Sequence, residues 1–113
     1  KCTAIDDYVW ELSKELWRRF GIKEYYNLEE VTRIAGEAGF NMAFIAYAHA
    51  MFCSRADFDA YYTPLRVACT YDGLRAVVSR RYFPWIQDFD AATVVRHATS
   101  PREEEYDFNQ GVD

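Results

Sequence analysis

Apolar residues recur at helical spacing from the start of the chain. Ile5, Tyr8, Val9, Leu12, Leu16 and Phe20 share one face when read at about 100° per residue. Thr3-Ala4-Ile5-Asp6 has the pattern of a capping box in front of them, and Gly21 follows the last periodic residue. Trp10 and Trp17 fall beside this stripe, one above the other, so the apolar arc is wider than one packing face needs. That width predicts two covering neighbours, or one flank left for a partner.

Asn27-Leu28-Glu29-Glu30 repeats the capping pattern and opens a second helix that ends near Gly39. Asn41 then caps a third. From Met42 to Cys53 almost every position is apolar on all sides, over only twelve residues. Such a helix is too short for a membrane and reads as the buried centre of the fold. Ser54-Arg55-Ala56-Asp57 is another capping box, opening a short helix through Tyr62.

Residues 65–83 carry two patterns. LRVACTY alternates, and Asp72-Gly73 with LRAVVSRRYF after it can be read as a β-hairpin. Read instead with Asp72 as N-cap, Leu74, Val77, Val78 and Tyr82 form a helical stripe. Val77 and Val78 are adjacent and Arg80-Arg81 follow, which breaks the alternation and favours the helix, with 63–71 irregular. Pro84-Trp85 ends that segment, and a last helix runs from about Phe89 to His97. The expectation is an all-α single domain of five or six helices around a central apolar helix at about 42–53. The helical domain covers 1–97, and 98–113 is an acidic C-terminal tail docked on the body or on a neighbouring molecule.

Composition sharpens this picture. Half of the 113 residues are hydrophobic and 18% are aromatic, which supports a packed core. The net charge is −5, yet residues 1–97 hold twelve Lys/Arg against thirteen Asp/Glu. The acidity therefore sits in the tail, at Glu103, Glu104, Glu105, Asp107 and Asp113. With no basic face, nucleic acid and anionic membrane surfaces are poor partners. Three cysteines (Cys2, Cys53, Cys69) are too few, and odd in number, for a secreted disulfide scaffold, although a Cys53–Cys69 bridge stays open. The thiols suggest a reducing, cytoplasmic setting.

Candidate chemistry is sparse. His49 and Cys53, four apart, share one face of the central helix and could form a thiol–imidazole pair or half of a metal site. The paired spacings of a zinc site are missing, so a core thiol beside a histidine with one hydrogen bond is the simpler reading. Asp57 and Asp59 do not share a helix face, and no phosphate loop, nucleophile elbow or H-E-x-x-H occurs. No cofactor is expected. Residues 28–52 have the cadence of a helix-turn-helix, but its second helix offers Met42, Ala43, Phe44, Ile45 and Tyr47, which cannot read base edges.

Arg80-Arg81-Tyr82-Phe83-Pro84-Trp85 joins two guanidiniums to three aromatics, the residue types enriched at interaction hot spots. With Trp10, Trp17 and the tail residues Glu103, Glu104, Glu105, Tyr106 and Phe108, it supplies the candidate partner-binding positions. Tyr106 and Phe108 would anchor the tail, with its glutamates facing Arg75, Arg80 or Arg81. YAHAMFCSRADFDAYY (47–62) and TYDGLR (70–75) resemble small uncharacterised helical families of bacteria, over about Asn27 to Phe83. That resemblance implies no activity. The expected function is stoichiometric protein binding without catalysis, in one form an inhibitor or immunity-type protein masking a basic partner. Alternatives are a metal- or thiol-dependent enzyme centred on His49 and Cys53, and a structural homodimer.

Overall fold

The computed structural model describes residues 3–86 and 88–100, the side chain of Thr3 excepted. The expected Thr3 cap and the candidate residues Glu103, Glu104, Glu105, Tyr106 and Phe108 lie outside that description. Among the described residues the architecture is all-α, with six helices and no strand.

Helix α1 spans residues 3–20 and contains a π-helical stretch at Tyr8–Leu12. Ser13 N–H reaches back five residues to the Tyr8 carbonyl, and the buried Ser13 hydroxyl bonds Val9 O at 2.5 Å. The predicted stripe is buried from Ile5 through Leu16. The extra residue in that turn rotates the second half of the helix against the first. The two tryptophans differ in burial. Trp10 packs on the core beside His97, whereas Trp17 is 44% exposed. Gly21 ends the helix at φ 75°, a conformation that suits only glycine well.

Asn27 opens α2 (Leu28–Glu37) with the complete capping box the sequence predicts. A 3₁₀ turn at Met42–Phe44, capped by Asn41, leads into α3 (Ile45–Phe52). This corrects the expected centre. Met42 and Phe44 are exposed, and full burial begins only at Ala48, so the helix is sunk into the core by its C-terminal half. Ser54 caps α4 (Arg55–Tyr62) as predicted, its hydroxyl accepting from Asp57 N.

The 65–83 segment resolves in favour of helix, as α5 (Tyr71–Tyr82). Its cap is Thr70, two residues before the expected Asp72, and the Thr70 hydroxyl accepts from Gly73 N at 3.0 Å. A Cβ at position 73 would stand 2.8 Å from that oxygen, so the Asp72-Gly73 glycine serves close approach rather than a hairpin turn. The buried face is also displaced. Tyr71, Arg75 and Val78 face inward, while Leu74 and Val77 are only half-buried. After Phe83, helix α6 (Ala91–Thr99) begins on an Asp90–Thr93 capping box and closes the core against α1 and α3. Cys53 and Cys69 are free thiols, so no bridge joins them.

The last turn of α3 sets the arrangement. A helix end leaves carbonyls without intrahelical partners, and here Ala50 through Cys53 are fully buried. Water cannot reach them. Three groups supply donors instead: the Arg75 guanidinium to Ala50 O at 2.9 Å, the Tyr26 amide to Phe52 O at 2.8 Å, and the Tyr71 hydroxyl to Cys53 O at 2.8 Å. Arg75 also donates to the Phe89 carbonyl and to Asp88 at 2.9 Å. Its guanidinium lies 4.1 Å from the Phe89 ring centre and 4.9 Å from that of Tyr71. Arg75 is thus a structural residue, 7% exposed, and not available to the acidic tail as the sequence suggested.

The Tyr71 hydroxyl answers a buried carbonyl, and burial pushes its pKa up to about 12. Tyr71→Phe is expected to cost about 1–2 kcal/mol in urea unfolding, because Cys53 O is left without a donor. Tyr61→Phe, at a site 49% exposed, should cost under about 0.5 kcal/mol. Equal costs would contradict the assignment.

Candidate functional site

Two places on the molecule hold side chains that could act. The first is internal. His49 projects from α3 between α2 and α4, 2% exposed, and both ring nitrogens are occupied. Thr32 donates its hydroxyl proton to Leu28 O at 3.0 Å, so its oxygen can only accept from His49 Nε2–H at 2.7 Å. Nδ1 is then unprotonated and accepts from the Tyr62 hydroxyl at 2.6 Å. A directed chain results: Tyr62 to His49 to Thr32 to Leu28. It holds the ring neutral in one tautomer.

The Tyr61 ring stands edge-on to the imidazole at 5.9 Å. Leu28 and Tyr61 join this network to an open groove of about 330 Å³, whose other lining residues are Asn27, Glu29, Asp57 and Ala60. Burial lowers the His49 pKa from 6.5 to about 4. Burial likewise pushes the Tyr62 hydroxyl and the Cys53 thiol up, with Asp57 and Glu30 adding to the effect on Cys53. A thiol held protonated, beside an imidazole whose nitrogens are both spoken for, is no activated nucleophile. The simpler sequence reading holds in kind, with two hydrogen bonds on His49 where one was expected. No group of three or more His, Cys, Asp or Glu able to hold a metal occurs among the described residues.

The second place is on the surface, where α5 ends. Arg80 and Arg81 are exposed in its last turn, Tyr82 is half-buried, Phe83 enters the core, and Trp85 is 71% exposed. Arg81 reaches the Tyr82 hydroxyl at 2.9 Å and Asp6 at 3.3 Å. The Trp85 ring packs edge-on against Phe83 at 6.4 Å, which props it outward. Arg80, Arg81 and Trp85 are thus all exposed within six residues of sequence. Trp10 belongs to the core beside His97, and Trp17 is exposed near the other end of α1. Sequence reasoning missed the roles of Thr32 and Tyr62. Their hydroxyl types alone carry no sign that both converge on His49.

Among the described residues these features define a small all-α domain with a buried polar relay at His49 and exposed Arg80, Arg81 and Trp85 at and just past the end of α5. The model of a family of unknown function, DUF6559, matches residues 1–111, and the chain belongs to that family. No curated protein and no solved structure matches it. No helix among the described residues is long and apolar enough to cross a membrane.

The His49 chain has a measurable signature. As pH falls below 6.5, the unfolded chain takes up a proton that the folded chain refuses until about pH 4. Stability is therefore full above pH 6.5, declines between 6.5 and 4, and levels off below. The decline from this site is expected to be about 3 kcal/mol. Urea unfolding at pH 7, 5.5 and 4 should show a shallower decline in His49→Gln than in wild type. Identical declines would remove His49 as the cause.

Proposed function

We propose that this domain works by binding another protein, with no chemistry of its own. The observation that carries the reading is Trp85, 71% exposed in the turn that follows α5, with the exposed Arg80 and Arg81 five and four residues before it. Leaving an indole in water forgoes its burial, which elsewhere in this core is thorough. Tryptophan and arginine together are the residues that most often anchor interfaces. Of the pair on which an enzyme reading would rest, His49 has both ring nitrogens hydrogen-bonded and Cys53 is fully buried.

The polarity of the partner follows from the same surface. A basic partner was expected because of Glu103, Glu104 and Glu105, which lie outside the described residues. The anchors in view are cationic, so the segment that docks on them carries carboxylates alongside an apolar contact for Trp85. A cytoplasmic setting, with Cys53 and Cys69 as free thiols, belongs to this proposal.

Tagged wild type and Trp85→Ala, captured side by side from native lysate at low salt, test the reading. One stoichiometric protein retained by wild type, and bound at least about thirtyfold more weakly by Trp85→Ala, is the expected result. Arg80→Glu should weaken it further. The same protein on both baits, or none on wild type, would overturn the proposal. Trp85 is exposed enough that its replacement spares the fold.

A further inference from the structure

Helix α4 and the loop behind it sit apart from the main core. Within residues 55–70 only Phe58 and Tyr62 are buried, and Cys69 is half-buried. Those two rings join Ala50 and Tyr71 in a small cluster of their own, and no residue of 55–70 belongs to the main cluster of buried side chains. Backbone hydrogen bonds at the ends of α4 and in the turn after it are local. The Phe58 amide donates to Ser54 O at 3.0 Å, Thr63 to Asp59 O at 2.9 Å and Arg66 to Thr63 O at 3.2 Å.

We propose that residues 55–70 form a lid that swings open as one unit about Ser54 and Thr70 and bares the His49 imidazole, while the rest of the fold stays closed. Three observations support it. The first is the base of the segment. The chain leaves the core after Cys53 and returns at Tyr71, and the Tyr71 hydroxyl holds the Cys53 carbonyl at 2.8 Å. Arg75 adds its bond to Ala50 O at 2.9 Å beneath the same point. Both ends are thus tied together under the lid, so it can move without parting α3 from α5. Cys53, Ser54 and Thr70 are extended, and no helix runs across either hinge.

The second observation is the seam. Between the start of α2 and the outer face of α4 the packing does not close, and the open groove of about 330 Å³ lies there. The third is how little fastens the lid. Arg55 and Asp72 pair at 2.6 Å, but their side chains are 58% and 73% exposed, and such pairs hold weakly. Phe58 meets the Tyr71 ring at 5.4 Å, and Tyr62 donates to His49 Nδ1 at 2.6 Å. Behind α4, Arg66 sits at φ 58°, a left-handed backbone found at no other non-glycine among the described residues, and opening releases that strain. Few buried side chains on an exposed segment are what sub-global opening draws on. Opening takes the Tyr61 and Tyr62 rings, 5.9 and 5.6 Å from the imidazole, away together. Nδ1 is then free to accept from another molecule. The His49–Tyr62 bond is therefore a latch, and the lid stands independently of the binding role given to Trp85.

Native-state hydrogen exchange on the full chain, read by NMR across low urea, tests the lid. The helical amides of α4 are expected to share one opening constant, at least about tenfold larger than that of Val94 and Val95 in α6 and less dependent on urea. Val95→Ala, in the main core, should speed exchange in α6 about tenfold or more and leave α4 unchanged, because α6 stays packed when the lid opens. Tyr62→Phe removes the latch and should raise exchange across α4 about fivefold. Diethyl pyrocarbonate, which modifies accessible imidazoles, should label His49 faster by the same factor in Tyr62→Phe and at the wild-type rate in Val95→Ala, with His97 told apart by peptide mapping. Amides of α4 that exchange with the constant and urea dependence of α6, or that open one by one with unequal constants, would overturn the proposal. So would labelling of His49 that follows the exchange of α6.

Discussion

A buried helix end must find hydrogen-bond donors, and in this chain that need organises everything else. Helix α3 enters the core at Ala48 and finishes inside it, so the carbonyls of Ala50, Phe52 and Cys53 are cut off from water. Leaving any of them unmet would cost about 1–3 kcal/mol, a large share of what a domain this size can hold in reserve. The three donors come from the loop before α2 and from two positions of α5. Two of those elements are thereby fixed against the central helix, and Arg75 extends the tie to the loop before α6 through Phe89 and Asp88. A cation at the negative end of a helix dipole gains further from its place.

The same geometry separates the polar interior from the surface proposed for binding. His49, Thr32 and Tyr62 use every donor proton of the relay on one another and on Leu28 O. It pins α2 and α4 to the two sides of α3. Arg80 and Arg81 sit in the last turn of α5, the helix that Arg75 anchors, and Trp85 follows three residues past its end.

Much of the framework was legible in the sequence because caps are local. Asn27 and Ser54 start helices where the pattern put them, since a side chain bonding an amide two or three residues on needs no tertiary context. The cap of α5 was misplaced because Thr70 follows an irregular stretch while Asp72-Gly73 advertises a turn. Arg75 was illegible for a different reason. Its partners lie 25 and 14 residues away, and only the assembled core shows that an arginine in LRAVV faces inward. The π stretch in α1 was hidden too, because the apolar spacing from Ile5 to Leu16 is the same with or without it.

Arg75→Met tests the central claim most directly. Methionine keeps much of the apolar contact between Tyr71 and Phe89 but supplies no donor, and Asp88, 81% exposed, is left in water rather than buried unpaired. Urea unfolding should then show a loss of about 2–4 kcal/mol, from the stranded Ala50 and Phe89 carbonyls. Native-state hydrogen exchange should quicken first across the last turn of α3. A loss below about 1 kcal/mol, the range of a surface ion pair, would contradict the account.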